Sequence, residues 1–140
     1  MSRIFWDTNL FIYLFEGHGA RSDRVAALRE RMLKRNDQLC TSTLTLGEVL
    51  VKPLEREDDL LRRRYEEALS TAAVLIPFDR DAARIYATVR RDRTIRAPDA
   101  VQLACAAQAG VDLFITNDDR LSRCTVPGIQ FISSLDRAFL

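Results

Sequence analysis

Four acidic residues, Asp7, Glu48, Asp99 and Asp118, stand where regular elements are expected to start or stop rather than on plain charged faces. The apolar run Ile4-Phe5-Trp6 ends in Asp7-Thr8-Asn9, and Leu113-Phe114-Ile115 ends in Thr116-Asn117-Asp118. Both read as a buried strand followed by a polar turn, and in open α/β sheets ligands bind at such strand ends. Asp99 follows Ala97-Pro98, and proline suits the first turn of a helix because the N–H it lacks would have no partner there. Glu48 lies in the amphipathic stretch Leu46 to Val51, whose start the hydroxyls of Thr41, Ser42 and Thr43 can cap.

Singly, each acid has an ordinary explanation. Asp caps helices, an acid in a first turn offsets the macrodipole, and a lone Glu on a helix is solvated. Together they argue for a site. Carboxylates brought close to one another raise each other's pKa, and a hard cation removes the conflict. With no Cys or His in the set, oxygen-only ligation suits Mg²⁺ or Mn²⁺ rather than zinc. Such an ion lowers the pKa of a bound water and stabilises charge on a phosphoryl oxygen, so phosphodiester hydrolysis is the expected chemistry.

Four landmarks occur in order: Asp7-Thr8-Asn9, the segment Ser42 to Val49 that carries Glu48, Arg96-Ala97-Pro98-Asp99-Ala100, and Thr116-Asn117-Asp118. With them the chain resembles the PIN-domain family, and within it the small VapC-type ribonucleases that act as toxins in bacterial toxin–antitoxin pairs. The resemblance spans nearly all of the chain. It implies an α/β, PIN-like fold and a metal-dependent endoribonuclease whose Asp7, Glu48, Asp99 and Asp118 bind Mg²⁺ or Mn²⁺. Thr116 and Asn117 would be supporting polar groups, and Asp119 would either assist the site or cap the turn that follows. A homodimer and a cognate small antitoxin, its tail blocking the acidic site, are implied as well. The alternatives are a catalytically silent PIN-like module that binds RNA or protein, an RNA-processing nuclease without an antitoxin, and a Toprim-like pairing of Glu48 with Asp79 and Asp81. The last leaves Asp7, Asp99 and Asp118 without a role.

Lys and Arg number 21 against 20 Asp and Glu, a net charge of +1, which excludes a generic polycation. Charge is nevertheless uneven. Arg84, Arg90, Arg91, Arg93 and Arg96 lead toward Asp99 and are the expected RNA-binding group, since phosphate contacts position a substrate without reading its sequence. So small a cationic surface favours an exposed loop of a structured RNA over long duplexes. Arg62 and Arg63 can pair with Glu66 and Glu67 along a helix. Three scattered cysteines, Cys40, Cys105 and Cys124, form no Cys-x-x-Cys pair, and neither a disulfide nor a zinc framework is expected. His18 is the single histidine, placed between glycines, and reads as exposed loop. That counts against a Ser/His/Asp hydrolase. No leader-like opening and no long apolar run is present, so a cytoplasmic protein without a membrane segment is expected.

These residues need a scaffold. Strand-like runs at Ile4 to Trp6, Gln38 to Cys40, Ala73 to Ile76, Leu113 to Ile115 and Ile129 to Ile132 alternate with helical patterns, which argues for a central parallel sheet flanked by helices in one domain over residues 1–140. Ser22 and Asp79 are placed to cap helices. Val25, Leu28 and Met32 form one core stripe, with Leu61, Tyr65, Ala68 and Leu69 as another. The segment Pro98 to Ala109 is apolar nearly all round and should be a buried helix that holds Asp99 firmly.

Overall fold

Apolar strands alternate with amphipathic helices along the chain. The structure, a computed structural model that describes residues 1–138, turns that alternation into one five-stranded sheet. Its strands are β1 (Arg3–Trp6), β2 (Gln38–Ser42), β3 (Val74–Ile76), β4 (Leu113–Thr116) and β5 (Phe131–Ser134). All neighbours are parallel, in the order β3-β2-β1-β4-β5. Parallel pairing requires crossovers, and helices supply them. Helices α1 (Thr8–Glu16) and α2 (Ala20–Arg35) join β1 to β2; α3 (Thr43–Val49), α4 (Val51–Glu55) and α5 (Asp59–Ala72) join β2 to β3; α6 (Arg80–Val89) and α7 (Ala97–Ala109) join β3 to β4.

Because side chains alternate across a strand, the sheet divides the core in two. Phe5, Cys40 and Phe114 face α6 and α7, with Phe5 and Phe114 stacked at 5.0 Å. Ile4, Trp6, Leu39 and Ile115 face the other way and pack with Leu10 and Phe11 of α1, Val25, Leu28 and Met32 of α2, and Leu69 of α5. Successive strands run outward from β1 to β3, and the chain then returns to β1's other side for β4 and β5. The junction of β1 and β4 is therefore the point where strand order reverses, and ligands of open α/β sheets bind at the carboxyl ends of the strands there. Asp7 and Asp118 follow those two strands.

Some local expectations change. β5 starts at Phe131, not Ile129, because Ile129 is buried in the preceding turn and its N–H is spent on the Val126 carbonyl at 3.1 Å. Ser22 does not cap α2, which begins two residues earlier behind Gly19; its hydroxyl instead donates to the Tyr13 carbonyl and accepts from the His18 N–H. Of the α5 stripe only Leu69 is fully buried, while Tyr65 stacks on Phe15 at 5.0 Å. Arg62 pairs with Glu66 as expected, but Arg63 turns to Asp59. No helix among the described residues is long and apolar enough to cross a membrane.

Candidate active site

Asp7 leaves the sheet with its N–H still donating to the Ile115 carbonyl at 3.2 Å. It stands at the N-cap of α1 yet forms no capping hydrogen bond. The carboxylate is turned inward: the Thr116 hydroxyl donates to Oδ2 at 2.5 Å, and Oδ1 is buried without a partner. Burial pushes this carboxyl up from 3.8 to about 6, the Thr116 bond working against the rise and the charge of Asp99 adding to it. Thr116 also accepts the Asp118 N–H at 3.0 Å, so one hydroxyl ties the acids that follow β1 and β4. Asn117 looks elsewhere, donating to the Tyr13 hydroxyl at 2.6 Å.

Glu48 is carried by α3, which Ser42 caps through the Thr45 N–H. Although exposed, Glu48 is held: the Thr8 hydroxyl donates to Oε1 at 2.6 Å. Behind Thr8 lies Gln102, 4% exposed, whose amide donates to Thr8 at 3.0 Å and to Thr45 at 2.9 Å and accepts from Ser42 at 2.5 Å. Thr41 closes the network, donating to the Trp6 carbonyl. Sequence reasoning missed Gln102. The signal was there: a lone amide in the apolar run Ala100 to Ala107 has to find partners once buried.

Asp99 sits in the first turn of α7 beside Pro98, as expected, with the Arg96 guanidinium 3.6 Å away. Burial raises its pKa, Arg96 opposes the rise, and Asp118 reinforces it. Asp118 is gripped by a residue that sequence reasoning did not single out. Arg120 donates from Nη2 to Oδ2 at 3.0 Å, from Nε to Oδ1 at 3.3 Å and from its backbone N–H to Oδ1 at 2.9 Å, and these bonds hold the Asp118 carboxyl below its ordinary value. Asp119, read as either assisting the site or capping the turn that follows, accepts the Ser122 hydroxyl at its carbonyl, while the Asp118 carbonyl accepts the Leu121 N–H.

Asp7, Glu48 and Asp99 line one open pocket of about 490 Å³ together with Thr8, Arg96 and Gln102. Asp118 faces a smaller adjoining crevice that Asp99 also borders. As the side chains stand, no three carboxylates, imidazoles or thiols among the described residues close on a single ion position. Two of the acids already have a cationic neighbour, Arg96 at 3.6 Å from Asp99 and Arg120 at 3.0 Å from Asp118.

The arginine group disperses. Arg84 pairs with Asp81 at 2.7 Å, Arg90 donates to the Ile95 carbonyl, Arg91 and Arg93 are exposed, and only Arg96 reaches the acidic pocket. Asp79 caps α6 through Ala82 N–H, so with Asp81 paired the Toprim-like arrangement finds no free carboxylates. His18 is exposed but has neighbours that the sequence did not suggest, Glu16 at 3.7 Å and the Tyr13 ring edge-on at 5.5 Å. All three cysteines are free, Cys40 and Cys105 being buried in the core.

A sequence profile of the PIN domain matches residues 4–126. The fold is similar to a chain of VapBC2 from Rickettsia felis, solved bound to a promoter DNA fragment, at 16% identity and a TM-score of 0.74, covering 94% of this chain and 98% of that one. It is also similar to a chain of a toxin–antitoxin complex from Klebsiella pneumoniae, at 24% identity and a TM-score of 0.66, covering 90% and 94%. A chain of VapBC-5 from Mycobacterium tuberculosis aligns at 21% identity and a TM-score of 0.61, covering 95% and 99%. No curated protein sequence matches the chain.

Proposed function

The chain belongs to the PIN-domain family, and from that premise we propose that it is a Mg²⁺- or Mn²⁺-dependent endoribonuclease, the toxin of a toxin–antitoxin pair. One observation carries the catalytic reading: Asp7 keeps a buried carboxylate oxygen with no partner, in a pocket it shares with Glu48 and Asp99. A buried carboxylate oxygen left without a partner is costly, and a cation would satisfy it. The donor set is all oxygen, which fits a hard divalent ion, and the guanidiniums on Asp99 and Asp118 mark both as positions where positive charge is favoured.

Asp7, Asp99, Asp118 and Glu48 would hold the ion, which when bound supplies an acidified water and charge stabilisation at the phosphoryl oxygen. The chain's own groups do the rest. Thr116 keeps Asp7 and Asp118 in register, and Thr8, braced by Gln102 and Thr45, holds Glu48 at the pocket mouth. So placed, Glu48 can orient an attacking water and accept its proton. Arg96, at the rim, can meet a non-bridging phosphate oxygen.

The toxin reading draws on the fold's similarity to chains of toxin–antitoxin complexes and brings with it a small antitoxin and a homodimer. Exposed Val51 on the pocket rim, with Leu54 and Leu60 near it in the chain, offers an apolar surface to such a partner. A second reading, a silent RNA-binding module, draws on the same two guanidiniums, which already neutralise Asp99 and Asp118. One experiment separates them. Purified protein incubated with total cellular RNA and Mn²⁺ should release discrete fragments, whereas folded Asp7→Asn should release none; cleavage by that variant at the parent rate would remove Asp7 from the site.

A further inference from the structure

Beyond the acidic pocket the surface continues into an open cleft of about 790 Å³, lined by Arg91, Arg120 and Arg123 with the hydroxyls of Thr88, Thr94 and Thr125. The crevice holding Asp99 and Asp118 leads into it, because Thr94, Ile95, Arg120 and Cys124 border both. Three guanidiniums face one carboxylate there, Asp92, and that acid is committed locally: it accepts the N–H and the hydroxyl of Thr94 at 3.0 and 2.7 Å. Arg91 and Arg123 are exposed and have no ion-pair partner among the described residues. Arg120 is engaged, but with Asp118, the acid at the cleft's inner end.

Unpaired cations repel one another at close quarters, and planar guanidiniums beside hydroxyls match phosphate oxygens in geometry and charge. A single phosphate would neutralise only part of this lining. A chain of phosphodiesters matches all of it, and the cleft's inner end is already at the acids. We propose that this cleft is a phosphate subsite that holds single-stranded RNA on one side of the scissile bond, with Arg120 as the member nearest the chemistry. The inference rests on the ribonuclease reading of the acidic pocket and adds where the rest of the strand lies. It also sorts the arginines: Arg84 and Arg90 are spent on protein partners, while Arg123, far along the sequence, joins Arg91.

The test is fluorescence anisotropy of a short, labelled single-stranded oligoribonucleotide in EDTA, so that no cutting occurs, across a salt series. Arg123→Ala should weaken binding several-fold and flatten the dependence of log affinity on log salt by about 0.7, the single-strand value for one phosphate contact. The double variant Arg91→Ala/Arg123→Ala should flatten it by about 1.4, whereas Arg84→Ala, which like Arg123→Ala removes one charge but outside the cleft, should keep the parent slope. Melting temperatures equal to the parent's establish that these surface variants are folded. A parent slope in the double variant overturns the proposal, as does an equal loss in Arg84→Ala. Cleavage of total RNA in Mn²⁺ is followed in parallel. A parent that cuts RNA while the double variant binds like it refutes the cleft alone; a parent that binds through the cleft but never cuts refutes the ribonuclease reading alone.

Discussion

Asp7 is the residue on which the site turns, and its environment has a measurable cost. Its carboxyl lies at about 6 against an ordinary 3.8 because burial disfavours the charged form. The folded state therefore holds this proton more tightly than the unfolded one. Stability contributed by the neutral acid is complete below the unfolded value and is lost as pH rises through the folded value, a loss of ~3 kcal/mol by proton linkage. Asp7→Asn cannot ionise, and its amide oxygen can still accept from Thr116. In EDTA, urea unfolding from about pH 4 to 7 should show the parent losing more stability than the variant by up to ~3 kcal/mol. Parallel profiles would mean that Asp7 is better compensated than its unpartnered Oδ1 indicates. Gln102 makes the complementary point, for there every polar atom is paired, so the group that braces Thr8 is a fixed support rather than a strained one.

At the scale of elements, the pocket and its crevice are built from two strand ends, the start of α7 and the last turn of α3. α7 is the most buried of the helices, its residues Ala100 and Gln102 to Ala107 all packed away, and it brings Asp99 to the pocket by its first turn. The outer edge of the sheet depends on one backbone position. Gly128 has φ +99°, and a Cβ there would lie 2.7 Å from the Ala107 carbonyl oxygen of α7. Only glycine fits where the loop crosses the helix end before β5 pairs with β4. Gly128→Ala should cost about 2 kcal/mol, from the left-handed conformation and the backbone contact together, read as a lower denaturant midpoint. A midpoint equal to the parent's would show that the loop can move aside without loosening β5.

For the whole molecule, the buried charge of Asp7 and Asp99 is an unfavourable feature that a ligand can reverse. An ion that binds the folded chain and not the unfolded one stabilises every element at once, by about 2.7 kcal/mol at a hundredfold excess over its dissociation constant. Mn²⁺ should therefore raise the melting temperature of the parent, and the rise should shrink in Asp99→Asn and in Asp118→Asn. An undiminished rise in both would put the ion elsewhere on the protein. Competition sharpens the expectation: Arg96 and Arg120 hold two of the four acids, so the apparent affinity includes the cost of displacing two guanidiniums.

The sequence by itself determined the elements and the residue types. Alternating apolar strands and amphipathic helices are local patterns, and so are a proline beside Asp99, hydroxyls ahead of Glu48 and polar turns after β1 and β4; each is written in a few consecutive residues. What it could not hold were relations among residues distant in the chain. Gln102 meets Thr8 across 94 positions, Thr116 meets Asp7 across 109, and Arg91 and Arg123, distant in the chain, line one cleft. The pairing of Arg120 with Asp118 is local, yet the crevice that Asp118 faces is completed by Thr94, Ile95 and Asp99 from a distant part of the chain. Side-chain direction at a loop is fixed by what packs around it, not by its neighbours in sequence. Tertiary structure therefore decided which acids share a pocket, which arginines remain free, and where buried charge is left without a partner.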